Sequence, residues 1–162
     1  ETWREYAQEW GAWHPTPVTV PVNILLGVLA RLRKILKNGL DNHLAKYVRA
    51  SRIVRAGLRN AGFEMFVPDE YASPVVTAVK ARPEFEVAKL SQWLENERGL
   101  AIGGGLGELA GKIFRVGHLG QAAGREYLLD FLVAVEEFLR YKGIRVPLGA
   151  ALIGLSTNGE KI

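Results

Sequence analysis

The sequence predicts an α+β fold in which helices pack on one face of a small, mostly antiparallel sheet. Apolar residues recur at helical spacing in several segments, and shorter β-branched or apolar runs of strand length lie between them. From residue 41 onward the predicted order is helix, strand, strand, helix, strand, strand, helix. That order is typical of α+β domains, in which helices cover one side of the sheet.

Composition excludes several classes of site. Because cysteine is absent, disulfides, thiolate zinc sites and cysteine nucleophiles are ruled out. The apolar runs are too short to cross a bilayer, and no secretory leader is visible, so we expect a cytoplasmic protein that binds no membrane. The 21 basic and 17 acidic residues are spread along the chain, with one basic cluster at residues 46–59.

Residues 1–38 are predicted to form an N-terminal arm, a proline-rich linker and a connecting helix. Aromatic residues at helical spacing predict a short helix over 1–10, and the abrupt start indicates an interior piece of a longer protein. Three prolines predict an extended linker over 11–21. A wide apolar stripe predicts a helix over 22–37, ended by Asn38-Gly39.

Residues 39–143 are predicted to form the α+β domain, beginning with a helix over 41–60 that Ala61-Gly62 closes. We expect its apolar residues to face inward: Leu44, Tyr47, Val48, Ile53 and Leu58. Strands are predicted over 64–67 and 75–80, separated by a loop.

The second half of this domain begins with a helix over 86–96. A short strand should precede the glycine loop, followed by a strand over 112–117 and a helix over 125–141. Residues 144–162 mix apolar residues with proline and glycine, so we expect a loosely structured C-terminal tail.

The strongest candidate for a binding group is Arg115, which lies mid-strand after the run Gly103-Gly104-Gly105-Leu106-Gly107. A buried arginine needs an anionic partner, and its planar fork can hold a carboxylate through two parallel hydrogen bonds. The simpler alternative is an edge-strand arginine paired with a nearby acid.

The glycine loop itself allows two interpretations. Its amides could cradle an anion, or it could be only a tight turn between two strands. A nucleotide P-loop is not indicated, because Ile113 rather than Ser or Thr follows Lys112.

The other charged and titratable groups favour structural roles. Three isolated histidines, His14, His43 and His118, lack the spacing of metal ligands, so no metal site is expected. Glu136 and Glu137 should be solvated on an amphipathic helix. We find no catalytic residue in this chain.

The basic helix offers a surface for phosphate contacts, although a solvated helix face is the commoner explanation. Three arginines share one face at 100° per residue, with two further cations displaced from it. The cations are Lys46, Arg49, Arg52, Arg55 and Arg59.

The glycine run, followed by Lys112-Ile113-Phe114-Arg115-Val116-Gly117-His118-Leu119-Gly120, resembles the C-terminal domain of class V pyridoxal-phosphate aminotransferases. The similarity is to the alanine–glyoxylate and serine–pyruvate group, which has the fold-type I architecture. Trp13-His14-Pro15-Thr16-Pro17 before an amphipathic helix is also similar, and the resemblance covers about residues 10–142.

The resemblance implies roles for three residues. Arg115 matches the arginine that binds the substrate α-carboxylate. Thr16 matches a threonine that reaches the cofactor phosphate of the neighbouring subunit, and Trp13 occupies a place where the family often has a tyrosine with the same role. These roles imply a homodimer.

The resemblance also implies a larger preceding domain that bears the Schiff-base lysine. This chain alone would then be inactive and would bind pyridoxal 5'-phosphate weakly or not at all. The expected substrates are a small amino acid, alanine or serine, and a 2-oxo acid, glyoxylate or pyruvate.

Two other functions remain open from the sequence. One is a non-enzymatic basic module that binds nucleic acid or an acidic partner, although nucleic acid is the less expected ligand. The other is a regulatory or assembly subunit derived from a transaminase, which keeps the fold and has lost the reaction.

Overall fold

The computed structural model describes residues 2–10 and 19–153. Contacts within the chain group into two units, Glu1–His43 and Leu44–Ile162. The division falls inside a helix near the predicted boundary between residues 38 and 39. The predicted domain limits themselves stay a prediction.

The first unit is helical. Helix α1 spans Thr2–Trp10 and α2 spans Val22–Asn38, which confirms both predicted helices. Gly39 ends α2 with φ of 83°, a conformation that favours glycine. Residues 11–18 of the predicted linker lie outside the described residues.

Most of the apolar stripe of α2 is exposed. No residue of this helix is buried, although Ile35 is partly covered. Eight of its large apolar side chains keep between 43% and 76% of their surface exposed: Val22, Ile24, Leu25, Leu26, Val28, Leu29, Leu32 and Leu36.

The sheet has three antiparallel strands, β1 (Val76–Lys80), β2 (Gly103–Gly104) and β3 (Ile113–Gly117). Their spatial order is β1-β3-β2, so β3 is central. The small antiparallel sheet of the predicted α+β fold is confirmed.

Two strand predictions were wrong in detail. Residues 64–67 form only an isolated bridge between Met65 and Val79, because Pro68 has no N–H with which to extend the pairing. The strand expected before the glycine loop is instead made by Gly103 and Gly104 themselves, since their backbone pairs with β3.

Three helices supply the rest of the core: α3 (Leu40–Asn60), α4 (Val87–Arg98) and α5 (Arg125–Tyr141). Alternation along the strands directs one set of side chains, Thr77, Val79, Phe114 and Val116, toward these helices. Apolar members of this set join helix side chains in one continuous cluster, which confirms helices on one face.

The buried face of α3 differs from the prediction. Tyr47, Ile53 and Leu58 are buried as expected, whereas Leu44 is 52% and Val48 39% exposed. Arg55 takes a buried position instead, because its guanidinium has a carboxylate and a carbonyl partner nearby.

The first part of the predicted loose tail is packed against α5. Residues Ala150–Leu152 form a 3₁₀ turn in which Ala150 and Ala151 are buried. The buried Glu136 carboxylate accepts hydrogen bonds from the N–H groups of Gly149 at 3.0 Å and Ala151 at 2.6 Å. Glu136 is therefore not solvated as expected, while Glu137 forms an ion pair with Arg98.

Gly57 is the point of closest approach between α3 and this turn. An ideal Cβ on Gly57 would lie 2.5 Å from the Ala151 carbonyl oxygen and 2.7 Å from Leu132 Cδ2. Both contacts are too short, so glycine is required here for packing.

We therefore predict that Gly57→Ala lowers the free energy of unfolding by about 1–3 kcal/mol, the usual cost of overpacking a core. Urea denaturation followed by tryptophan fluorescence would measure it. The matched control is Gly27→Ala in the interior of α2, where no atom lies within 4 Å of the added Cβ. Helix propensity then predicts a gain of up to about 1 kcal/mol. Equal effects of both changes would contradict the packing argument.

Candidate functional site

Arg115 lies at the middle of the central strand, on the face of the sheet away from the helices. Phe114 and Val116 on either side of it point into the core. In the pairing register, Arg115 stands opposite Ala78 of β1 and Gly103 of β2. Both neighbours are small, so the half-buried arginine side chain has room on this outer face.

The guanidinium of Arg115 is held by a main-chain carbonyl and not by an acid. Its Nε donates a hydrogen bond to the Gly104 carbonyl oxygen at 2.9 Å. Within residues 2–10 and 19–153, no carboxylate lies within ion-pair distance of Arg115. The alternative of an edge-strand arginine paired with an acid was wrong for the described part of the chain.

The glycine loop is a compact turn whose amides are mostly used within it. Gly105 N–H donates to the Ile113 carbonyl at 3.0 Å, and Leu109, Ala110 and Lys112 donate to carbonyls inside the loop. An ideal Cβ on Gly105 would lie 1.9 Å from the Leu109 carbonyl oxygen, so the backbone closes on itself there. This geometry favours the interpretation as a turn between two strands over that of an amide cradle.

His118 lies near Arg115 in sequence but on the other side of the sheet. It is fully buried, and its Nε2 shares a 2.9 Å hydrogen bond with Thr77 Oγ1. Burial lowers the pKa of His118 below its ordinary value, although backbone hydrogen bonds at Pro74 and at His118 itself oppose the shift. The structure therefore places this buried imidazole beside Thr77 and does not bring it to Arg115.

One carboxylate, Asp69, pairs with two of the five cations on the basic helix α3. Asp69 accepts a hydrogen bond from Arg55 Nε at 2.5 Å and two from the Arg59 guanidinium at 2.7 and 2.9 Å. Arg55 also donates to the Val67 carbonyl, and Lys46 donates to the Gly120 carbonyl. These contacts occupy three of the five cations of the predicted phosphate-binding surface.

A cavity of about 510 Å³ opens beside this ion-pair network, between α3 and the loop that carries Asp69. Ala72 and Pro74 line it together with Arg52, the one exposed arginine of this face that no described carboxylate pairs with. It is distinct from the outer face that carries Arg115.

The other predicted groups lie outside the described residues or form no site. Trp13, His14 and Thr16 are among residues 11–18, of which the structure gives no description. Over the described ranges, no cluster of His, Cys, Asp or Glu could hold a metal ion. In the same ranges no helix is both long and apolar enough to cross a bilayer.

Comparison with known proteins identifies the family. The chain is 34% identical over 131 residues to an uncharacterized aminotransferase of Methanocaldococcus jannaschii, covering 81% of this chain and 34% of that protein. It is 30% identical over 156 residues to serine–glyoxylate aminotransferase of Arabidopsis thaliana, covering 96% of this chain and 39% of the relative. The crystal structure of alanine–glyoxylate aminotransferase from Nostoc sp. matches with a TM-score of 0.77 and 30% identity, over 85% of this chain and 36% of that one. The chain belongs to the class V aminotransferases.

The chain spans between a third and two fifths of the length of these aminotransferase relatives. No protein-family model matches it. The similarity to solved aminotransferases also confirms the α+β fold.

Aminotransferases of this class depend on pyridoxal phosphate. The described residues do not supply a lysine suited to bind it, because no lysine among them is buried. The half-buried Lys46 and Lys80 are held by the Gly120 carbonyl and the Glu64 carboxylate. The predicted weak or absent cofactor binding stays a prediction.

The sequence indicated Arg115 as a candidate but did not identify the groups that hold the charged side chains in place. The Gly104 carbonyl behind Arg115 and the Asp69 carboxylate between two arginines both depend on how distant segments meet. Asp69 carries one local signal, its position after Pro68 in a loop beside a basic helix, and a charge count over that loop could have suggested it.

Asp69 should titrate well below its ordinary range. Hydrogen bonds from Arg59 first, and then from Arg55, lower the pKa of Asp69 to about 2. Because the folded-state pKa is the lower one, the stabilisation by these ion pairs is complete above about pH 4 and is lost as pH falls through about 2. Carboxyl-carbon NMR should show this low titration, and Asp69→Asn should flatten the pH dependence of unfolding between pH 4 and 2.

Two exposed arginines of α3 give a matched comparison. Arg59→Gln should raise the pKa of Asp69 toward its ordinary value, whereas Arg52→Gln should leave it low, since Arg52 does not pair with Asp69. An unshifted Asp69 titration in Arg59→Gln would contradict the assignment.

Proposed function

We propose that this chain is the C-terminal, substrate-facing domain of a pyridoxal-phosphate-dependent aminotransferase. The reaction moves an amino group between a small amino acid, alanine or serine, and a 2-oxo acid, glyoxylate or pyruvate. Arg115 binds the substrate carboxylate. The observation that carries the proposal is a guanidinium on the open face of a central strand with no described acid beside it.

The chemistry of transamination suits a single arginine. The amino acid and the 2-oxo acid both carry a carboxylate next to the carbon that reacts, so one fixed cation can orient the substrate in either direction. A bidentate arginine–carboxylate pair sets direction as well as affinity. The relatives whose names specify glyoxylate as a substrate support this substrate class.

The exposed helix α2 supports a second part of the proposal, a larger cofactor-binding domain as its partner. An apolar surface of this extent on a helix with no buried residue is typical of an interaction site. The aminotransferase relatives are about three times as long as the segment that matches this chain, and such a domain is consistent with the remaining length.

In this proposal the larger domain supplies the Schiff-base lysine, and the complete protein is a cytoplasmic homodimer. Thr16 and Trp13 contact the cofactor phosphate of the neighbouring subunit. No described contact favours nucleic acid over these partners, and three of the five cations that could bind it, Lys46, Arg55 and Arg59, are held by groups of this chain.

Arg115→Ala in the complete protein should raise the KM for the amino donor about 10- to 100-fold, because a charge-assisted hydrogen bond contributes about 1.5–3 kcal/mol. Steady-state kinetics with L-alanine or L-serine and glyoxylate would measure it. The control is Arg98→Ala, which removes only the ion pair with Glu137 between α4 and α5. An unchanged KM in Arg115→Ala would refute the assigned role.

The isolated chain should not transaminate. Mixed with pyridoxal phosphate, it should lack the visible absorbance of a lysine aldimine and should not convert L-alanine and glyoxylate into pyruvate and glycine. Circular dichroism would confirm that the chain is folded in that assay. Activity of the isolated chain would overturn the division of labour proposed here.

A further inference from the structure

We propose that Gly103 is a positioning residue for Arg115, and that the absence of a bulky side chain there maintains the affinity for the substrate carboxylate. This inference rests on the proposed function, since it concerns how the same arginine is aimed. In this inference the first two glycines of the loop, Gly103 and Gly104, support the guanidinium of Arg115. The ligand itself contacts only the arginine.

The first support is the hydrogen bond at the inner edge of the guanidinium. Arg115 Nε donates a hydrogen bond to the Gly104 carbonyl oxygen at 2.9 Å. No hydrogen bond from Nη1 or Nη2 to another described residue is present. Those two atoms form the outer edge of the fork, which is the edge able to hold a carboxylate end-on. The carbonyl therefore determines which edge is presented.

The second support is the space above Gly103. An ideal Cβ on this residue would lie 3.4 Å from Arg115 Nη2, 3.5 Å from Nε and 3.7 Å from Cζ. Three guanidinium atoms at similar distances show that the planar group extends across Gly103. A methyl group would be in ordinary contact there, whereas a branched side chain would occupy the place of the guanidinium.

The third support is the register of the sheet. Gly103 and Arg115 are paired residues on adjacent strands, so their side-chain positions share one face. On the other side of Arg115 the paired residue is Ala78, which is also small. Arg115 is thus flanked by two small residues, Ala78 and Gly103. Its guanidinium extends over Gly103.

The experiment compares Gly103→Ala with Gly103→Val in the complete protein. Valine should raise the KM for L-alanine about 10- to 100-fold, with kcat changed less than about 3-fold, because a displaced anchor weakens binding in ground and transition states alike. Gly103→Ala should retain most of the affinity. Calorimetry with L-lactate, a carboxylate that cannot donate an amino group, should show the same loss for valine without any turnover.

A double mutant separates positioning from general damage. In an Arg115→Ala background, Gly103→Val should have no further effect on the L-lactate affinity, because the group it displaces is already gone. A further loss of similar size would show that valine harms the site by another route, and would overturn the inference.

The outcomes also distinguish this inference from the proposed function. If Arg115→Ala leaves L-lactate and L-alanine affinity unchanged, the proposed function fails and the inference fails with it. If Arg115→Ala weakens both ligands while Gly103→Val binds them as the wild type does, the carboxylate role survives and the positioning role of Gly103 is wrong.

Discussion

The alternation of side chains along β3 is the constraint on which the site depends. Phe114 and Val116 must enter the core, so Arg115 between them must point to the opposite face. Because β3 is the central strand, both neighbours hold its backbone by hydrogen bonds. The charge of Arg115 therefore lies on a strand that is paired on both sides, and its position follows from the burial of two apolar side chains.

The core behind the sheet contributes to the site indirectly, by packing against the strands. Phe114 packs edge-on against Phe63 with ring centroids 5.6 Å apart, and Thr77 is tied to His118 across the end of β3. A displacement of about 1 Å in a binding group can greatly weaken its function. The packing of the core residues against β3 therefore matters as much as the charge on the open face. The core of this domain and its open face therefore form one functional unit.

The helices and the central strand could be predicted from residues close together in the sequence. Their apolar periodicity and the glycines that end them are both local features. It failed where a partner comes from far along the chain. Glu136 was expected to be solvated, but two N–H groups of the turn at residues 149–151 donate hydrogen bonds to it. Arg55 was expected on a solvated helix face, but it is buried and donates a hydrogen bond to Asp69 of a distant loop. Arg115 could be predicted because its burial problem is local, whereas the carbonyl that holds it could not.

The proposed function divides the work of an aminotransferase between two domains. The described residues place one guanidinium on the open face of the sheet, and every lysine among them is exposed or already held by another group. In this proposal, binding and bond-breaking chemistry reside in different parts of the enzyme. A rigid binding part can be altered in its affinity for the carboxylate without disturbing the reacting atoms, because the two functions share no described residue. This separation is the physical reason to expect changes around Arg115 in KM rather than in kcat.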